Sequence, residues 1–299
     1  MLYERQKALL ALVDELGGRV PGTDLQKLLF LWMRDAQNGE PLFDFVPYRF
    51  GAFSFTSYAD RRKLIEKGFL VEEEKDWAIT ETGKAAIVKE TKVRARASAF
   101  AAKAPKVRGD RLVAMTYRRY PFFAIRSEIA TQVLGDDPRI LEQITAARPT
   151  VGPAGIATIG YEGRSLEGYL VLLMKAGVTM LCDVRRNPIS RRYGFAKSTL
   201  GRACEGVGIR YEHLPELGIA SSERRGLENQ SDYDELFDHY ERDSLPQQTA
   251  ALSKIAAWVG AGERIALTCF ELQPQRCHRH CVAEALEQEY GRPFAPTHI

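Results

Sequence analysis

The chain has 299 residues, 45% of them hydrophobic and 27% charged, with a formal net charge of +3. That length suits two domains, and the composition excludes a wholly disordered or low-complexity chain. No window reaches the roughly 18 apolar residues that a membrane-spanning helix needs. The first ten residues, MLYERQKALL, offer neither an apolar signal core nor a cleavage site. The cysteines, Cys182, Cys204, Cys269, Cys277 and Cys281, are odd in number and confined to the second half, which does not read as a disulfide framework. A reducing cytoplasmic compartment is expected.

Three regions are predicted in chain order: 1–90, 91–150 and 151–299. Within the first, residues 4–16 and 24–37 carry apolar positions at helical spacing, with Thr23 or Asp24 as N-cap. The aromatic run 46–55 reads as a loop or short strand, and 56–67 as a helix closed by Gly68. Residues 69–84 read as strand, acidic turn, strand, then a helix capped near Thr80. Helices followed by a small hairpin form a winged-helix-like module. Its net charge of −2 favours a protein partner over DNA.

Residues 91–150 hold 12 Lys+Arg against 5 Asp+Glu. A basic helix is predicted first, then a linker broken by Pro105 and Gly109. The cluster Tyr117, Arg118, Arg119, Tyr120, Phe122 and Phe123 suits either phosphate contact with base stacking or a structural connector with buried aromatics.

From 155 onward the pattern alternates strand and helix. Strands are predicted over 155–163, 178–185, 209–218 and 264–271. Helices are predicted over 165–177, 198–206 and the stretch up to Tyr290, which Gly291 closes. This alternation predicts an open, mostly parallel α/β sheet with flanking helices, whose ligands sit beyond the strands' carboxyl ends. Four polar strings fall at those ends: TIGYEGRS (158–165), DVRRNPISRRYGF (183–195), YEHLPELG (211–218) and CFELQPQRCHR (269–279).

In these strings, 155–299 resembles the family called domain of unknown function 488, whose pattern runs TIGYEG, DVRxxPxSRxxGF, YxHxPELG and CFExxPxxCHR. The resemblance implies a single α/β domain with a polar pocket and assigns no reaction. Residues 4–85 resemble the antitoxin-associated Panacea (SocA-like) domain, chiefly through LQKLLFLW, PYRFGAFS and ITETG. That implies an interaction or regulatory module.

The candidate catalytic groups are Asp183, Glu162, Glu216, Glu271 and His278. Asp183 ends a buried strand beside Arg185 and Arg186, a place for a base, a nucleophile or a carboxylate stabilising an oxocarbenium-like charge. Glu162 lies between glycines at a strand tip, or caps the next helix. His213 and Glu212 are neighbours in a strand, so one of them points away from the site. Arg185, Arg186, Arg191, Arg192 and Arg279 are expected to hold phosphates. Tyr161, Tyr193, Phe195 and Phe270 are expected to stack on a base. Cys277 opens the last helix, which is expected to lower its pKa and make a thiolate conceivable.

These residues suit an enzyme acting on DNA or nucleotides, with N-glycosidic cleavage (base excision) preferred. A phosphodiester hydrolase that binds Mg²⁺ is the competitor, and a non-catalytic nucleotide sensor or antitoxin-like adaptor is the alternative from another class. No cofactor is expected for glycosidic cleavage. The spacing of Cys277 and Cys281 with Cys269 and His280 invites zinc, but zinc is disfavoured because no paired CxxC exists and these cysteines also fit as buried small hydrophobes. DNA is the expected partner, together with a protein docking on 1–85, and no membrane.

Overall fold

A computed structural model describes residues 1–35, 41–135, 137–220, 222–223 and 226–299. The chain divides into two compact units, Met1–Arg148 and Pro149–Ile299.

In the first unit, α1 (Glu4–Glu15), β1 (Arg19–Pro21) and α2 (Gly22–Asp35) precede a hairpin of β2 (Val46–Tyr48) and β3 (Gly51–Phe53). After it come α3 (Phe55–Glu66), β4 (Leu70–Glu73), β5 (Asp76–Ile79) and α4 (Glu81–Ile87). The strand order β1–β5–β4 is antiparallel, with Val20 opposite Trp77 and Trp77 opposite Glu72. Helix, strand, two helices and a hairpin in this order make the winged-helix-like layout expected. Ser54 caps α3 by accepting from the Ser57 amide, and Thr80 caps α4 by accepting from Gly83. Helix α2 starts at Gly22, two residues before the expected start at 24, so Asp24 lies inside it and does not cap it. The Asp24 carboxylate instead accepts from the Gly109 amide at 2.9 Å, a tertiary contact. Residues 36 and 37 lie outside the described residues.

The unit continues through α5 (Thr91–Lys103), α6 (Asp110–Arg119), α7 (Ala130–Leu134) and α8 (Pro138–Ala146), of which the sequence places only α5 individually within a connector expected to hold helices. Tyr120 and Phe123 pack edge-on and tilted against Phe30 of α2, and the Tyr117 ring is fully buried. Tyr117 and Phe123 are therefore core residues of this unit, and Tyr120 and Phe122 are half-buried against the same cluster, which makes these aromatics packing residues first.

The second unit is built from β6 (Gly155–Gly160), α9 (Leu166–Lys175), β7 (Met180–Asp183), α10 (Lys197–Gly206) and β8 (Arg210–His213). It closes with α11 (Gln230–His239), α12 (Thr249–Gly260), β9 (Arg264–Cys269), α13 (Arg279–Tyr290) and β10 (Thr297–His298). All five strands are parallel, in the order β10–β6–β9–β7–β8. β6 and β7 are buried along their whole length, which is why they read as continuous apolar runs. On one face, Met180, Cys182, Ile265 and Leu267 pack with Ile255 of α12 and Val282 and Leu286 of α13. On the other, Tyr169 of α9 donates to Thr268 at 2.8 Å. Helices α11 and α12 and the edge strand β10 were not anticipated. The last is only two residues long, too short to show a period.

The chain leaves β7 toward β8 on one side of the sheet and leaves β9 toward β10 on the other. Adjacent strands with diverging connections open a crevice at their carboxyl ends, where ligands of such sheets bind. The register sets Gly160 opposite Cys269, and Asp183 opposite both Thr268 and His213. The tips of β6, β7, β8 and β9 thus share one edge, and Glu162, Asp183 and Glu271 with them.

Candidate functional site

Two tip loops are locked together at the start of this edge. The Tyr161 and Glu162 amides both donate to the Phe270 carbonyl, and the Glu162 carboxylate accepts from the Leu272 amide at 2.9 Å. From α13, Arg279 donates to the carbonyls of Glu271 (2.5 Å) and Leu272 (2.9 Å). Glu162 therefore braces one loop against the other, while Ser165 caps α9. Arg279 is almost fully buried and clamps a loop, where an anion-binding role had been expected.

A second network centres on Asp183, which is fully buried. Its Oδ1 accepts from the amide (3.2 Å) and Nε (2.8 Å) of Arg185, and its Oδ2 from Arg185 Nη2 (2.5 Å) and the Tyr211 hydroxyl (2.6 Å). Arg185 Nη1 also donates to the Tyr161 hydroxyl and the Phe195 carbonyl, each at 2.9 Å. Burial works against the guanidinium charge, but the Asp183 pair outweighs it and holds the Arg185 pKa above its ordinary value. Burial, reinforced by Asp183, likewise raises the Tyr211 pKa and keeps it a phenol that donates. Asp183, expected to face a ligand, and Arg185, expected to hold phosphate, instead both lie inside and hold each other.

The rings of Tyr161 and Phe195 also serve the interior. They stack on each other with centroids 4.3 Å apart and 9° between planes, and Arg185 lies over the Tyr161 face. Phe270 is different: it meets Tyr161 edge-on and leaves 42% of its surface exposed. Of the four aromatics expected to stack on a base, it alone combines a rim position with that exposure; Tyr193 is half-buried in the basic loop.

Tyr161, Arg185, Cys269 and Phe270 line a cavity of about 480 Å³, whose other wall is the loop carrying Arg186, Arg191 and Arg192. These three arginines are exposed. Among the described residues no acidic side chain pairs with any of them; Arg186 donates only to the Pro215 carbonyl, at 3.3 Å. Gly218 lets that loop approach, since a Cβ there would run into the Arg186 amide. Glu216 is exposed on the short turn 215–217, and Glu271 is half-buried with its carboxylate 3.5 Å from Cys269 Sγ.

Two residues carry more of the site than the sequence suggested. Tyr211 and His213 alternate with Glu212, so they face the same side as Asp183 in the register. His213 Nε2 donates to the Arg185 carbonyl at 2.8 Å, and Lys197 donates to its Nδ1 at 3.0 Å. The period-two pattern of YEH held this signal once β8 was paired with β7.

His278, fully buried, donates through Nε2 to the Val184 carbonyl at 3.0 Å, and its Nδ1 lies 3.7 Å from Cys269 Sγ. Cys277 is just as buried, and here the expectation of a lowered pKa fails. Helix α13 begins at Arg279, two residues later, and burial pushes the Cys277 thiol well above its ordinary range, with Cys269 adding to the effect. A free thiolate nucleophile at Cys277 is disfavoured.

Residues 165–286 match a family model described as Domain of unknown function DUF488. No curated protein and no solved structure matches the chain. Among the described residues no helix is long and apolar enough to cross a membrane.

Proposed function

From a DUF488 segment with an arginine-walled cavity at its sheet edge, we propose an enzyme directed at DNA or nucleotides that cleaves an N-glycosidic bond. One observation carries the reading: three exposed arginines, with no acidic partner among the described residues, wall one side of a cavity that the exposed Phe270 ring also lines. Guanidinium groups suit phosphate oxygens in a planar, two-pronged geometry. The ring of Phe270 suits the face of an unstacked base. Asp183 is committed to Arg185 and Glu162 to bracing the loop, so the carboxylate left for chemistry is Glu271, next in the chain to the cavity-lining Phe270. Stabilising positive charge on a sugar as its base departs is work a carboxylate can do.

The test incubates the full-length protein with modified and unmodified DNA and scores abasic sites separately from strand breaks. Abasic sites that disappear with Glu271→Gln support the reading. Binding to that DNA should weaken steeply with salt, and Arg191→Ala should lower the slope by about one. Strand breaks without abasic sites would replace it with phosphodiester hydrolysis. Salt-independent binding would remove the arginines from the argument.

A further inference from the structure

We propose that Cys269, Cys277 and His278 form a zinc-binding site at the floor of this cavity. Strand β9 delivers Cys269 to the sheet edge, and the short turn 274–276 brings Cys277 and His278 back beside it. Their donor atoms all lie within 4.8 Å of one another, and all three residues are buried. Zinc–sulfur and zinc–nitrogen bonds of about 2.3 and 2.0–2.1 Å in a tetrahedron set ligand atoms roughly 3.6–3.8 Å apart. The Cys269 Sγ to His278 Nδ1 separation is 3.7 Å.

The histidine is also presented in the form a metal requires. The Val184 carbonyl can only accept, so Nε2 carries the proton and the lone pair of Nδ1 is turned toward Cys269. A backbone carbonyl on the far ring nitrogen is the usual support for a metal-bound imidazole. Two thiolates and one imidazole favour zinc over the hard cations magnesium and calcium.

In the sequence these ligands are hidden by their spacing, with no paired CxxC among them. Eight positions separate Cys269 from Cys277, and only the return of the chain from β9 into α13 closes that gap. Cys269 also lines the cavity, so the ion would sit beside whatever the cavity binds.

A second set, Glu241, His280 and Cys281, also lies within 4.8 Å, but it is partly exposed and serves as the internal control. The full-length protein, purified under reducing conditions, is loaded with zinc or cobalt(II), freed of excess, and its metal content measured. One ion per chain is expected, with cobalt giving the absorption of a tetrahedral site and thiolate-to-metal charge transfer. Cys277→Ser and His278→Ala should each weaken binding at least about tenfold, whereas Cys281→Ser should leave it unchanged. Retention of no ion by the unmodified protein, or a cobalt spectrum without thiolate bands, would overturn the proposal even if a variant failed to fold. So would loss of the ion in Cys281→Ser with retention in Cys277→Ser. Metal content is read without substrate, so the outcome is independent of the glycosidic reading.

Discussion

A carboxylate that accepts four hydrogen bonds while fully buried has little left to offer a ligand, and Asp183 is in that position. Its chemistry is to hold Arg185, which in turn fixes the Tyr161 hydroxyl and the Phe195 carbonyl behind the cavity. Asp183→Asn keeps the shape but leaves the buried Arg185 charge without its counter-ion. Breaking one side of a buried pair costs about 3–5 kcal/mol. The urea transition of the second unit should move by that amount, and any loss of activity should accompany it. A transition unmoved by the substitution would mean the pair contributes little, and would return Asp183 to the list of reacting groups.

At the scale of elements, the tips of β6 and β9 are joined by contacts that only glycine permits. A Cβ on Gly160 would run into the Glu271 carbonyl and the Leu272 backbone, the loop that Glu162 and Arg279 hold. Gly160→Ala should therefore cost about 1–3 kcal/mol as overpacking and weaken ligand binding at the cavity by displacing Phe270. Retained stability with unchanged binding would show that the loop yields freely. The glycines of TIGYEG and YEHLPELG were visible as letters in the motifs. For Gly160 and Gly218 the function is a close backbone approach to Glu271 and Arg186, segments far away in the chain, which no local pattern encodes.

For the whole molecule, stability is also tied to a lysine in the other unit. Lys27 is buried on α2 and donates to the Ala52 carbonyl at 3.0 Å. Burial lowers its pKa from 10.5 to about 7, with Asp24 acting in the opposite direction. The unfolded chain keeps that proton up to its ordinary value, so between the two values it binds more protons than the folded unit. Stability of the first unit should rise with pH across this window, by up to about 1.4 kcal/mol per pH unit from this group. Below it, the cost of burying the ammonium is present in full. Unfolding midpoints measured from about pH 7 to pH 10 should climb for the natural protein and flatten for Lys27→Met. A natural profile already flat would mean that Lys27 is solvated as it titrates.

The sequence by itself determined the α/β alternation, the parallel sheet and the four strings at one edge, because buried strands and capped helices leave short-range periodic signals. It also marked Arg186, Arg191 and Arg192, whose exposure on a loop follows from their charge, and Phe270, whose 42% exposure runs against its apolar ring. Only the tertiary structure decided that Asp183 and Arg185 consume each other, that Tyr161 and Phe195 stack inward, and that Glu162 and Arg279 brace a loop. It alone brought Cys269 beside Cys277 and His278. The reason is physical: a polar side chain's partners, and hence whether it faces ligand or core, are set by strand register and helix return. Those are fixed by packing between segments far apart in the chain.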